Sequence, residues 1–228
     1  MAADFALYVA TAGALVASHA VPSAPGIRPA LIRGLGRRGF FAAYGTLSMV
    51  TLAAFVWTYL GAETGDWLYT PPENGHLLAV LVMPLAVFLI VGRMTTPYGT
   101  PEAPNAPVGI YRICRFPGSF GLLIWSSLHL LNMGDARRTV LFATMVAIAL
   151  IALAKNEWVR RRLARAGGTA YLDETALIPF AAQIIGRRRI VWGEIGWGRI
   201  ALTLATYVGL LLGHPYAIGV DPLAGILW

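Results

Sequence analysis

The chain has 228 residues, of which 57% are hydrophobic and 13% charged, and its mean hydropathy is +0.63. Soluble domains carry about a quarter charged residues, so this composition excludes an ordinary water-soluble globule and points to a bilayer as solvent. The net charge of +7 reads as basic loops held on one membrane face rather than as a nucleic-acid surface, and one cysteine, Cys114, leaves no internal disulfide.

Six apolar runs are expected to be helices, at about 5–21, 39–60, 76–92, 119–133, 139–154 and 197–213. Runs of about 18 residues match a hydrocarbon layer roughly 30 Å thick at about 1.5 Å of rise per residue. The expected fold is all-α: a polytopic transmembrane helical bundle of about six helices, forming a single domain over 1–228. Ahead of Phe5 the only charge is Asp4; a signal peptide would open on basic residues, so the first run reads as a retained helix, although Ser18-His19-Ala20 faintly resembles a cleavage site.

Loop one carries Arg28, Arg33, Arg37 and Arg38. Helix two ends in Trp57 and Tyr59, and loop two holds Glu63, Asp66 and Glu73 with Trp67 and Tyr69 but no basic residue. Loop three has Arg93, Arg112 and Arg115, and Pro101, Pro104 and Pro107 predict an extended, irregular path there. The tight link Gly134-Asp135-Ala136-Arg137-Arg138 makes helices four and five an antiparallel hairpin. Loop five, 156–196, is strongly basic, with Trp158 and Pro179, and leads through Trp197 and Arg199 into helix six. Taken alternately, the loops put fifteen basic residues on one side and two on the other, which places loop one in the cytoplasm and both termini outside. The tryptophans and tyrosines near run ends suit an interfacial belt. No phosphate-binding loop, Cys-x-x-Cys pair, serine elbow or row of intramembrane charges is present.

Chemistry then falls to four histidines, His19, His76, His129 and His214. An ionisable side chain inside a bilayer is costly, and imidazole is an ordinary axial ligand of haem iron. His19 closes helix one on a stripe with Ala12, Leu15 and Val16, while Gly118, Gly121, Trp125, His129 and Asn132 share a face of helix four. Glycines beside an imidazole leave room for something flat: a macrocycle or a neighbouring helix. A histidine bonded to a carbonyl or water is the alternative to an iron ligand. His76 and His214 read as interfacial polar residues near the outer surface, with a second metal pair or a contact to a polar ligand as the alternative. At about 1.5 Å per residue, His19 lies about 20 Å from the outer end of its helix and His129 about 15 Å from the inner end of its own. The mismatch in depth is one that helix tilt can remove.

The order and spacing of several short motifs resemble the NnrU family of bacterial membrane proteins, which includes the plant and cyanobacterial 15-cis-zeta-carotene isomerase. They are Ser18-His19, Arg37-Arg38-Gly39, the run Tyr111-Arg112-Ile113-Cys114-Arg115-Phe116-Pro117 leading to Trp125 and Leu128-His129-Leu130, then Gly134-Asp135, Pro179-Phe180-Ala181-Ala182, Gly186-Arg187 and His214-Pro215. The resemblance covers nearly the whole chain. It implies a bacterial inner membrane, haem b as cofactor, and His19 and His129 as iron ligands and catalytic groups, with Gly121, Trp125 and Ser126 as candidate cofactor contacts. It also implies two functions: a haem-dependent cis–trans isomerase acting on a hydrophobic polyene, or a non-catalytic haem or accessory protein linked to nitric-oxide metabolism in denitrification. Ser126 stands where the isomerase has a cysteine, and Phe116 where it has a histidine. A hydroxyl is a poor substitute for a thiolate, and Met133, one turn beyond His129, is a candidate soft ligand. The redox partner is not implied.

Overall fold

A computed structural model of the chain describes residues 2–98, 106–166 and 170–224. Pro101 and Pro104 lie outside the described residues. In chain order the helices are α1 (Ala2–Ala20), α2 (Ile27–Gly61), α3 (Gly75–Thr95), α4 (Ile110–Ile113), α5 (Pro117–Asn132), α6 (Ala136–Arg165), α7 (Ala170–Glu174), α8 (Ala181–Ile184), α9 (Trp192–Ile195) and α10 (Trp197–Ile218). The six apolar runs became α1, α2, α3, α5, α6 and α10, and among the described residues the one extended pairing is an isolated bridge between Trp67 and Asp135. Two boundaries moved furthest. α2 starts at Ile27 because Ile27, Leu31 and Leu35 repeat at helical spacing through the basic segment, and Gly36 then breaks the helix at φ 69°, ψ 163°. α6 continues past its apolar run to Arg165, its charged end steadied by the Glu157–Arg161 pair one turn apart.

The chain divides into two compact units, 1–71 with 133–155 and 72–132 with 156–228. In the first, Tyr8, Ala12 and Leu15 of α1 bury against Phe55 and Ala62 with Val140, Leu141, Met145 and Ile148 of α6. The Tyr8 ring stacks on Phe55 at 5.3 Å, and its hydroxyl donates to the Arg137 carbonyl. Hydroxyl pairs join α1 to α2, Thr11 with Thr58 at 2.7 Å and Ser18 with Thr51 at 3.0 Å, the small polar contacts that hold helices together where the hydrophobic effect between them is absent. Loops two and four of the sequence pair with each other: Leu68 N–H donates to the Gly134 carbonyl at 2.7 Å and Ala136 N–H to Asp66 at 2.9 Å. They lie at the same end of this unit, as alternate loops must. The two basic residues of this end have local partners. Arg137 donates to the Ala62 carbonyl and covers the Tyr59 ring, and Arg138 pairs with the fully buried Asp135.

In the second unit α3 and α5 lie in close contact. A methyl group on Gly121 would come within 2.8 Å of Ile90 and 2.9 Å of the Ala86 carbonyl, and one on Gly92 within 2.8 Å of Ile110. We expect Gly121→Ala to lower stability by about 1–3 kcal/mol through overpacking, read as an earlier thermal unfolding midpoint in detergent. α10 is tied to α3 by Tyr207, which donates to the Val80 carbonyl, and by Arg199, whose guanidinium donates to the Thr95 carbonyl and hydroxyl at the C-terminal end of α3. Loops three and five meet in a polar cluster: Arg112 pairs with Glu194 at 2.8 Å, and the buried Arg115 pairs with Glu157 and donates to Thr175. Burial alone would raise the Glu194 carboxyl; its bonds from Arg112 and the Gly109 N–H outweigh that and hold it below the usual carboxylate range.

Candidate functional site

His19 stands in the last turn of α1. Its Nδ1 is 3.0 Å from the Leu15 carbonyl oxygen and 3.2 Å from the Ser18 hydroxyl, and the Tyr44 ring meets it edge-on. A carbonyl oxygen only accepts, so Nδ1 carries the hydrogen and the lone pair of the neutral ring sits on Nε2. The tautomer is set by the backbone.

His129 in α5 repeats the arrangement. Its Nδ1 donates to the Trp125 carbonyl at 2.8 Å, one turn back, and the Trp125 ring lies 4.7 Å away at a tilt of 44°. Ser126 is fully buried and donates its hydroxyl to the Leu122 carbonyl at 2.7 Å, an ordinary intrahelical bond. Beside Gly121 the space is filled by α3, and at Gly118 by the Arg93 side chain, so at those two positions the small residues serve packing. Asn132 continues that face, donating to the Gly75 carbonyl at the start of α3. His76, one residue further on, is half-buried.

His214 sits near the end of α10, where Gly219, at φ 79°, turns the chain so that the Val220 carbonyl accepts from the His214 Nδ1 at 2.8 Å. Its ring centre is 6.3 Å from that of His129, with the two planes 25° apart. Of the four histidines the structure brings these two together; His19 belongs to the other unit. The sequence reading grouped His214 with His76 near the outer surface, not with His129. The signal that could have joined them was the loop alternation, which sets the C-terminal ends of the fourth and sixth runs on the same face.

Other soft donors are engaged. Cys114 is buried and its thiol meets the Leu177 carbonyl; burial, only partly offset by the Phe116 backbone N–H and the nearby Arg115 charge, pushes it up to about 12, far from thiolate. The Met133 sulfur accepts from Arg138. Among the described residues no group of three or more His, Cys, Asp and Glu side chains could hold a bare metal ion. Imidazoles presented singly or in pairs, each with Nδ1 held by a carbonyl and Nε2 as the donor atom, suit a centre that brings most of its own ligands. A porphyrin does so, and it needs one or two axial donors from the protein.

Four helices, α2, α3, α6 and α10, are each long and apolar enough to cross a bilayer, yet only 6% of the apolar window of α10 and 11% of that of α2 are buried. Leu202, Leu204, Val208, Leu210 and Leu212 of α10 are bare, and Trp57, Trp67, Trp158 and Trp197 are exposed as an interfacial belt requires. Tyr59 and Tyr69, expected in the same belt, also serve the fold, one beneath Arg137 and the other bonded to the Met133 carbonyl. Helices with such apolar outer surfaces define a helical integral membrane protein. Residues 7–222 match the family described as NnrU protein, and the chain belongs to it. Comparison with characterised proteins and with solved structures gave no match.

Proposed function

We propose that this protein binds haem b in the membrane, with His129 as an iron ligand and His19 as the second ligand that the family resemblance implies. The observation that supports the reading is the shared tautomer: each imidazole donates Nδ1–H to a backbone carbonyl, at 3.0 Å for His19 and 2.8 Å for His129, leaving Nε2 as the basic nitrogen. Such a bond orients a ligating ring and raises its basicity. When bound, the haem would supply an iron able to lower the rotation barrier of a polyene double bond. The bare apolar helices suit a substrate that arrives through lipid. A bacterial inner membrane is the proposed location.

Ser126 and Phe116 favour haem binding without thiolate exchange, the accessory role in nitric-oxide metabolism. The Ser126 hydroxyl is engaged by its own helix, and Phe116 is buried and offers neither a ligand nor a proton.

Protein purified after expression with ample haem is expected to show a Soret band that is lost in His129→Ala and more weakly retained in His19→Ala. A colourless wild type would end the haem reading. Coexpression with a pathway that makes tri-cis zeta-carotene separates the two roles: a changed isomer profile supports catalysis, and an unchanged profile with haem bound supports the accessory role.

A further inference from the structure

We propose that the second unit holds a binding site for a phosphate group, carried by an anionic lipid headgroup or by a free anion, in a cavity at the end of α3 that meets the basic loops. The inference stands apart from the haem reading. The cavity measures about 340 Å³, room enough for a headgroup, and Arg93, Tyr98, Tyr111, Arg115, Phe116 and Gly118 are part of its wall.

Its charge is unbalanced. Arg93 stands in the last turn of α3, and among the described residues no carboxylate lies within ion-pair distance of it. Arg115 does have a carboxylate, Glu157, but Glu157 is shared with Arg161, so those three side chains together remain positive. Such a wall attracts an anion, and a guanidinium presents paired donors that match the oxygens of a phosphate.

The donors are also placed. The Arg93 Cγ lies 2.9 Å from where a methyl group on Gly118 would stand, so the stem crosses the start of α5 only because that residue has no side chain. The guanidinium carbon then sits 5.8 Å from the centre of the Tyr98 ring, which stacks on Tyr111 at 4.8 Å. The Tyr111 hydroxyl donates to the Thr96 carbonyl, whereas the Tyr98 hydroxyl, shielded from solvent, has no hydrogen-bond partner among the described residues. A buried hydroxyl without a partner is an unmet donor, and a phosphate oxygen would accept from it. Gly118 and Ser119, which also lines the cavity, add first-turn N–H groups of α5 that lack intrahelical acceptors. α3 is long and apolar enough to cross a bilayer, and Met94, next to Arg93, is bare. The end of such a helix is the level at which lipid phosphates are met.

The test is a titration of full-length protein in dodecyl maltoside. Dioctanoyl phosphatidylglycerol, dioctanoyl phosphatidylcholine and inorganic phosphate are added separately, and the thermal midpoint of Cys114 labelling by a thiol dye is followed, since a ligand of the folded state raises it. A saturable rise with phosphatidylglycerol that exceeds any with phosphatidylcholine assigns the site to an anionic headgroup; a saturable rise with inorganic phosphate assigns it to a free anion. In either case Arg93→Gln, which keeps the stem beside Gly118, is expected to need about tenfold more ligand for the same rise. Equal rises in wild type and Arg93→Gln would overturn the proposal. So would equal rises with the two lipids and none with phosphate, or no rise with any of the three. If Arg93→Gln is unfolded, seen as labelling in the cold, Tyr98→Phe decides: a weaker response than wild type supports the site, and an equal one overturns it.

Discussion

Arg115→Ala is expected to destabilise the protein by about 3–5 kcal/mol, because removing one member of a buried ion pair strands the other. The Arg115 side chain is 7% exposed and that of Glu157 11%. Besides Glu157, Arg115 donates to the Thr175 hydroxyl and to the carbonyls of Leu172 and Thr175, so one guanidinium joins the loop before α5 to the charged end of α6 and the segment after α7. The alanine variant leaves Glu157 paired with the exposed Arg161. Replacing both members by apolar residues of similar volume, Arg115→Met with Glu157→Leu, is expected to recover much of the loss, since no buried charge is then uncompensated. The protein carries its own probe for this. Cys114 is fully buried beside Arg115, and its thiol stays protonated up to about pH 12 in the folded state, so a thiol-reactive dye labels it only on unfolding. The thermal midpoint of labelling should fall in Arg115→Ala and largely return in the double variant. An unchanged midpoint in Arg115→Ala would refute the structural role. The same thiol predicts a pH effect. Its folded pKa lies above the ordinary value, so stability on this account is intact below that ordinary value and declines as pH rises toward 12.

Gly134→Ala is the second large effect. A methyl group there would stand 2.0 Å from the Tyr69 carbonyl oxygen and 2.8 Å from the Trp67 ring, so backbone must move. That backbone also carries the bonds between Leu68 and Gly134 and between Ala136 and Asp66. We expect a loss of about 3 kcal/mol, the upper end for overpacking, together with loss of hydrogen-exchange protection at the Leu68 and Ala136 amides. Gly13→Ala is the control: nothing lies within 4 Å of its added methyl group, so no comparable loss is expected. Equal effects of the two substitutions would contradict the close contact at Gly134.

Much of the architecture was legible because it is a one-dimensional property. An apolar run long enough to cross hydrocarbon must satisfy its backbone within itself, and a helix is the way a single segment does so. That is why the six runs became the six long helices, and why the errors fell at their ends. The segment 27–35 was read as loop because its arginines outweigh Ile27, Leu31 and Leu35 in hydropathy, although their spacing is helical. Past Ala154 hydropathy falls while the helix continues to Arg165, since helix formation needs no lipid. The site was legible in part. Each of His19 and His129 could be singled out as an ionisable group in an apolar helix, but the purpose of the small residues could not. Gly121 proved to face Ala86 and Ile90, partners more than thirty positions away that no local pattern names.

By itself, then, the order of residues determined the class of protein, the apolar runs that became helices and the candidate histidines, since all three follow from the polarity of each short stretch. Tertiary structure alone decided that His214 stands beside His129 and that Arg115 is buried against Glu157. Those depend on atoms distant in the chain meeting within hydrogen-bonding or packing range. Local polarity constrains that a group must find a partner, and only the packed helices choose which one.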